Sequence, residues 1–167
     1  MTGKTYVKSL LALLFVAITF HAAQAAGRNW TLANAQGGEY SFSENSGSRP
    51  TLLIFWASWC KPCKREMTEL KDTYDDLQKR GMNVILISED NQKTKSRVKP
   101  FLDSKGYEWT ALLDPDGEVL KLYGGTSIPF TVVLDEGGSP VYKSIGEMKD
   151  PSEMLSKANQ LIESPGE

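Results

Sequence analysis

Apolar and polar residues alternate near the start of the chain and then give way to a continuous apolar run. Residues 30–32 and 40–42 alternate on either side of the Gly-containing segment 34–38, which predicts a β-hairpin. The polar, Gly-containing segment 43–49 predicts a loop. Residues 51–56 are all apolar after the first, and their β-branched and aromatic content favours a parallel strand that is covered on both faces.

From Cys63 onward the apolar residues recur with a helical period. They lie three or four residues apart, at Cys63, Met67, Leu70, Tyr74 and Leu77. Charged residues fill the opposite face, so we expect a single amphipathic helix. Pro62 would stand in its first turn, where a missing N–H costs little, and Gly81 would end it.

The second half of the chain alternates between short strands and helices. The predicted strands lie at residues 84–87, 107–113, 130–134 and 141–145. Short helices are expected before Gly106 and at 118–123, and a longer one from Asp150, with Pro151 at its first position. Parallel strands joined through helices, with an antiparallel hairpin at the end, predict an α/β sandwich around a mixed sheet.

The first 25 residues have the pattern of a secretory signal. Two lysines precede the apolar run 10–18, and small residues near Ala25 supply a cleavage site. We therefore divide the chain into a signal peptide at 1–25 and a single domain at 26–167. The alternative is an uncleaved membrane anchor, against which the length of the run argues, because a spanning helix requires about 20 apolar residues.

Loss of this signal would narrow the chemistry available to the chain. It would remove Lys4 and Lys8, which takes the formal net charge from −2 to −4, and also His21, the only histidine. Without histidine, the two cysteines fall short of the about four Cys and His ligands that a structural zinc site needs, and a Cys–His nucleophile pair is excluded. Covalent haem attachment is excluded because Lys64 stands where a histidine is required. We expect no metal and no cofactor, and the lack of a long basic run gives no reason to expect nucleic-acid binding.

Cys60 and Cys63 are the only cysteines, and they stand where the apolar run gives way to the helical pattern. This arrangement suits thiol–disulfide exchange, because a first thiol exposed at a helix N-terminus is stabilised as a thiolate. The second cysteine, one turn later, can attack the mixed disulfide that the first one forms. The alternative is an inert disulfide, although so small a loop gains little stability from a crosslink.

The residues around the cysteines carry a family resemblance. The segment FWASWCKPC at 55–63, together with Ile-Pro-Phe-Thr at 128–131, resembles the exported TlpA/ResA/CcmG-type thiol–disulfide oxidoreductases of the redoxin/AhpC-TSA-like superfamily. The resemblance implies the thioredoxin fold, a three-layer sandwich with a mixed central sheet and an N-terminal β-hairpin. It also implies the β-α insertion of the TlpA branch, here at 101–124.

The resemblance assigns roles to the best-matched residues. It implies that Cys60 attacks substrate disulfides and that Cys63 resolves the mixed disulfide, so that the pair forms a redox-active disulfide. Pro129 matches the family's cis-proline, which would place the backbone of Ile128 beside the cysteines to pair with an extended substrate. The alternative for Pro129 is an ordinary loop proline.

Four further residues are implied to support the site: Trp59, Lys61, Pro62 and Glu66. Trp59 would flank the cysteines. Lys61 would favour the Cys60 thiolate, or else project into solvent, and Pro62 would keep the turn rigid.

Glu66 matches an acid that tunes cysteine reactivity in the family, and the alternative is a plain acid on the helix surface. The chain departs from thioredoxins at Ile54, where they carry a buried aspartate. Our hypothesis is therefore that Glu66 or water takes the proton from Cys63.

The implied function is an exported, periplasmic reductant of protein disulfides, in cytochrome c maturation or in thiol maintenance. Relatives receive electrons from a membrane thiol reductant of the DsbD/CcdA kind, and we expect a monomer. The cysteine pair also permits a disulfide oxidant or isomerase. A thiol peroxidase of the peroxiredoxin type would need threonine where Ala57 stands. The two cysteines and Pro129 argue against a non-catalytic thioredoxin-like binding module.

Overall fold

The computed structural model describes residues 29–47 and 49–164. The signal peptide predicted at 1–25 lies outside the described residues, and the limits of the 26–167 domain stay a prediction.

The described residues form one seven-stranded sheet. Its strands are β1 (Thr31–Asn34), β2 (Glu39–Ser41), β3 (Thr51–Trp56), β4 (Asn83–Ser88), β5 (Thr110–Leu113), β6 (Phe130–Leu134) and β7 (Pro140–Ile145). Their order is β2-β1-β5-β4-β3-β6-β7, in which β3, β4 and β5 are parallel and the other neighbours antiparallel. The predicted mixed sheet with a hairpin at each end is confirmed.

Helices cover both faces of this sheet. In the same part of the chain they are α1 (Phe42–Asn45), α2 (Lys61–Glu69), α3 (Lys71–Lys79), α4 (Val98–Lys105), α5 (Glu118–Leu122) and α6 (Ser152–Glu163), and a 3₁₀ turn (Lys95–Arg97) leads into α4. Helices α2, α3, α4 and α6 contribute to one core, while α1 and α5 contribute to the other. The insertion α4-β5-α5 therefore places its two helices on opposite faces.

Strand β3 lies between the two cores. Leu52, Ile54 and Trp56 face the core under α2, whereas Leu53 and Phe55 face the core under α5. Each of the five is at most 1% exposed, which is why this strand reads as a continuous apolar run. The three-layer α/β sandwich implied by the resemblance is confirmed.

The segment 43–49, predicted as a loop, contains most of helix α1. Phe42 turns into the core, where its ring stacks on Trp30 with the centroids 4.9 Å apart. Asn45 Nδ2 then donates to Ser41 O at 2.8 Å across the new turn. Because Phe42 packs in the core, the hairpin ends at Ser41, one residue earlier than the alternation of apolar and polar residues indicates.

The single helix predicted up to Gly81 is two helices, α2 and α3. Leu70 between them leaves the helical region of the backbone, with φ −98° and ψ 10°. Neither glycine nor proline stands at the break, and the apolar spacing continues across it, so the sequence pattern does not reveal it. Helix α6 begins one residue later than predicted, although Asp150 Oδ1 accepts from Ser152 N at 2.9 Å as an N-cap residue does.

The parallel pairing of β3 and β4 decides where the cysteines lie. The two strands run in register from Thr51 and Asn83 to Trp56 and Ser88, so their carboxyl ends meet at one edge of the sheet. The loop 57–60 leaves β3 at this edge, beside residues 89 and 90 that leave β4. In open α/β sheets this is the edge at which functional sites form.

Candidate active site

Cys60 and Cys63 form a disulfide at the N-terminus of α2, with their Cα atoms 5.4 Å apart. Cys60 immediately precedes the helix in an extended conformation, and its N–H donates to Ala57 O at 3.0 Å. The Sγ of Cys60 accepts from the backbone N–H of Cys63 at 3.3 Å. The first sulfur therefore lies at the positive end of the helix dipole, which favours a thiolate once the disulfide is reduced.

Exposure distinguishes the two cysteines. Cys60 is 5% exposed and Cys63 only 1%, so Cys60 is the more accessible of the two. The expectation of an exposed first thiol is met only to this small degree, because Cys60 belongs to the core cluster under α2. Trp59 is 54% exposed and flanks Cys60 in the chain.

The two residues between the cysteines open helix α2. Lys61 is exposed, and Pro62 is the second helical residue, where its lack of an N–H costs no hydrogen bond. The projection of Lys61 into solvent is thus observed, while its effect on the Cys60 thiolate stays a prediction.

The Ile128–Pro129 peptide bond is cis, which is the isomer that the resemblance implies. Pro129 directly precedes β6, whose first residue Phe130 pairs with Phe55 near the end of β3. Ile128 packs against the core cluster that contains both cysteines. The structure therefore brings this loop to the edge of the sheet from which the cysteine loop leaves, and the pairing of Ile128 with a substrate stays a prediction.

Glu66, three residues after Cys63, is only 1% exposed, so the alternative of a helix-surface acid is wrong. Its Oε2 accepts from Met148 N at 2.6 Å, and the side chains of Thr131 and Tyr74 are further polar partners of this carboxyl. Burial raises the pKa of Glu66 above its ordinary value, the charge of Glu147 adds to the rise, and the Met148 N–H opposes it. A carboxyl in this state takes up a proton at higher pH than an ordinary glutamate, which suits a proton acceptor for a thiol.

The segment 146–148 joins helix α2 to the cis-proline loop. Two nitrogens of Arg65 donate to the carboxylate of Glu147, and this pairing lowers the pKa of Glu147. Gly146 N donates to Pro129 O at 2.8 Å, while Met148 N donates to Glu66. The cysteine helix and the cis-proline are therefore held by three consecutive residues that the sequence pattern did not single out.

Sequence reasoning also missed Asp90, which is fully buried and accepts hydrogen bonds from Ser58. The available signal was a polar residue at the carboxyl end of the strand next to β3. Ile54, by contrast, lies in the apolar cluster with both cysteines, as its residue type indicates.

Residues 29–47 and 49–164 contain no group of three or more His, Cys, Asp or Glu side chains placed to hold a metal ion. No helix within these two ranges has the length and apolar character needed to cross a membrane.

Comparison with known proteins agrees with this geometry. Residues 23–142 match the model of the AhpC/TSA family. The thiol-disulfide oxidoreductase ResA of Geobacillus thermodenitrificans is 28% identical over 130 residues, which span 78% of this chain and 73% of the relative.

Two solved structures share the fold. StoA from Bacillus subtilis is 27% identical with a TM-score of 0.63, and the match covers 78% of this chain and 96% of StoA. The pneumococcal exposed lipoprotein thioredoxin Etrx1 from Streptococcus pneumoniae is 27% identical with a TM-score of 0.64, covering 80% of this chain and 99% of Etrx1.

Proposed function

This chain belongs to the AhpC/TSA family and is a thiol–disulfide oxidoreductase of the ResA type, and from this premise we propose that it is exported and reduces disulfides in other proteins. The observation that carries the proposal is the Cys60–Cys63 disulfide, in which the sulfur of the more exposed cysteine is hydrogen-bonded at the N-terminus of α2. A helix terminus that stabilises a thiolate makes the first cysteine a nucleophile and a good leaving group.

In the proposed reaction the protein starts as a dithiol. The Cys60 thiolate attacks one sulfur of the substrate disulfide, and the other substrate sulfur leaves as a thiolate. Cys63 then loses its proton to Glu66 or to water and attacks Cys60 Sγ, which releases the second substrate thiolate. The substrate gains two electrons, and the protein is left with the disulfide seen in this structure.

Regeneration requires an external dithiol that gives two electrons back to Cys60–Cys63. We propose a membrane thiol reductant of the DsbD/CcdA kind, with cytochrome c maturation or periplasmic thiol maintenance as the process served. Support for export comes from the signal-like pattern at 1–25 and from the exposed lipoprotein among the structural relatives. The exposed Trp59 and the loop before Pro129 would contact the protein substrate, and we propose that the chain acts as a monomer.

Trapping of the mixed disulfide tests these roles. The reduced Cys63→Ser variant, incubated with disulfide-bonded insulin, is expected to form a covalent adduct that dithiothreitol releases. The matched Cys60→Ser variant is expected to form none. An adduct with Cys60→Ser alone would reverse the roles of the cysteines, and failure of both variants, with wild type unable to reduce insulin, would contradict the proposed function.

A further inference from the structure

Asp90 is a buried carboxylate that the reaction described above does not use. It is the second residue after β4 and has no exposed surface. Its Oδ2 accepts from Ser58 N at 2.6 Å and from Ser88 Oγ at 2.8 Å, and its Oδ1 accepts from Ser58 Oγ at 2.6 Å. Three short hydrogen bonds converge on this one group, and two of them come from the same serine.

Ser58 belongs to the loop that carries the first cysteine. It stands two residues before Cys60, whose N–H closes the loop by donating to Ala57 O at 3.0 Å. The end of β4 is itself fixed, because Glu89 N donates to Trp56 O at 2.8 Å. Asp90 therefore connects a rigid strand end to the middle of the loop 57–60.

We propose that Asp90 is a positioning residue for thiol–disulfide exchange, because by holding Ser58 it places the Cys60 sulfur on the backbone N–H of Cys63. The inference rests on the proposed role of Cys60 as the nucleophile. It goes beyond that role by assigning the control of Cys60 reactivity to a residue that lies just after the neighbouring strand β4.

The hydrogen bonds between Asp90 and Ser58 can affect the position of the Cys60 sulfur because the loop that joins Ser58 to Cys60 is short. The hydrogen bond from Cys63 N to Cys60 Sγ spans 3.3 Å, and a displacement of the loop by about 1 Å would lengthen and misalign it. The thiolate would then lose the donor that stabilises it at the helix terminus. Trp59, which lies between Ser58 and Cys60, would be displaced as well.

Asp114 offers a matched control at the same edge of the sheet. It follows β5, is 2% exposed, and also accepts three hydrogen bonds, from the backbone N–H groups of Glu118, Val119 and Leu120. These bonds hold α5 and not the cysteine loop. Replacement of Asp114 by alanine should therefore lower the free energy of unfolding in a similar way, but it leaves the hydrogen bonds between Asp90 and Ser58 in place.

The test compares Asp90→Ala, Asp90→Asn and Asp114→Ala in the full chain. For each reduced variant we would measure the alkylation rate of Cys60 against pH, the reduction potential of the cysteine pair, and the free energy of unfolding. Asp90→Ala is expected to slow Cys60 alkylation at neutral pH by roughly 10-fold, because only the thiolate reacts and its fraction falls about tenfold for each unit by which the pKa of the thiol rises. Its alkylation profile should move to higher pH.

The other variants distinguish the effect of the position of Ser58 from the effect of the Asp90 charge and from a general loss of stability. Asp90→Asn keeps an oxygen for Ser58 N and can donate from its amide to Ser58 Oγ, so it should restore most of the rate. Asp114→Ala should lose stability with the pH profile of wild type. The proposal is overturned if Asp90→Ala keeps the wild-type profile, if Asp90→Asn shifts as far as Asp90→Ala, or if Asp114→Ala shifts equally.

Two further measurements keep the outcomes distinct. If Asp90→Ala does not fold, Ser58→Ala removes only the Oγ contact and should shift the profile in the same direction by a smaller amount, and no shift would overturn the proposal. Wild-type protein in which Cys63 is alkylated before Cys60 would instead contradict the proposed function, on which this inference depends.

Discussion

Glu66 and Glu89 are two buried glutamates in different surroundings. Burial is the largest cause of a raised pKa in both. Glu66 lies one helical turn after Cys63, whereas Glu89 leaves β4 against Asp114 in the insertion, where burial and the Asp114 charge raise its pKa to about 8. Burial thus perturbs both acids, but only Glu66 shares a helix with Cys63, which makes it the one we propose to act on the disulfide.

The largest expected difference between the two acids concerns the exchange rate. Glu66→Gln should slow reduction of insulin by roughly 100-fold, because general base catalysis contributes at least this much. Because burial raises the pKa of Glu66, the wild-type rate should still be rising above the ordinary range of a glutamate, and the variant should lose this rise. Glu89→Gln is the matched control and should stay close to wild type.

The same comparison predicts an epistatic effect. In a Cys63→Ser background Glu66→Gln should no longer change the rate at which Cys60 attacks a disulfide. An unchanged pH dependence in Glu66→Gln alone would remove Glu66 from the mechanism.

A smaller effect is expected from the exposed cation next to Cys60. Lys61→Glu should lower the rate of iodoacetamide alkylation of Cys60 at neutral pH by about two- to fivefold, because a charge in water acts through a high dielectric. The effect should shrink in high salt. Identical alkylation profiles of the variant and wild type would show that Lys61 only projects into solvent.

Glu89→Gln should change stability and leave exchange alone. The folded protein holds the Glu89 proton up to a pH of about 8, far above the ordinary value of 4.5, so wild-type stability falls as pH rises through this window. The variant lacks this loss and should be more stable above pH 8 by about 1–2 kcal/mol, after allowance for solvent screening at this half-buried group. Urea unfolding of the variant and of wild type at pH 5 and pH 9 measures the difference in their free energies of unfolding. The same difference at both pH values would contradict this interpretation of Glu89.

The smallest effect is expected at the ion pair between Arg65 and Glu147. Arg65→Gln leaves the Glu147 charge unpaired near Glu66, and that charge raises the pKa of Glu66. The pH–rate profile should therefore move slightly to higher pH, with a maximal rate within about twofold of wild type, because Arg65 is largely exposed. A shift to lower pH would show that the pair acts in another way.

The sequence predicted the elements whose signal is local. The strands β3 and β6 were expected at residues 51–56 and 130–134, where they lie, because continuous apolar runs mark buried strands. The break at Leu70 was missed because the apolar spacing runs across it. Glu66 could be named from its motif, but its burial depends on the backbone of Met148, 82 residues away in the chain. The contact of Asp90 with Ser58 is likewise set by the pairing of β3 with β4.

The reduction potential of the Cys60–Cys63 couple tests the central claim most directly. Purified protein would be equilibrated against thiol–disulfide buffers of defined ratio, and the dithiol fraction followed by alkylation and Trp59 fluorescence. A dedicated reductant predicts a potential of about −250 mV or lower, close to that of thioredoxin. A value near about −120 mV, that of the strong oxidant DsbA, would mean that the pair inserts disulfides and would contradict the account.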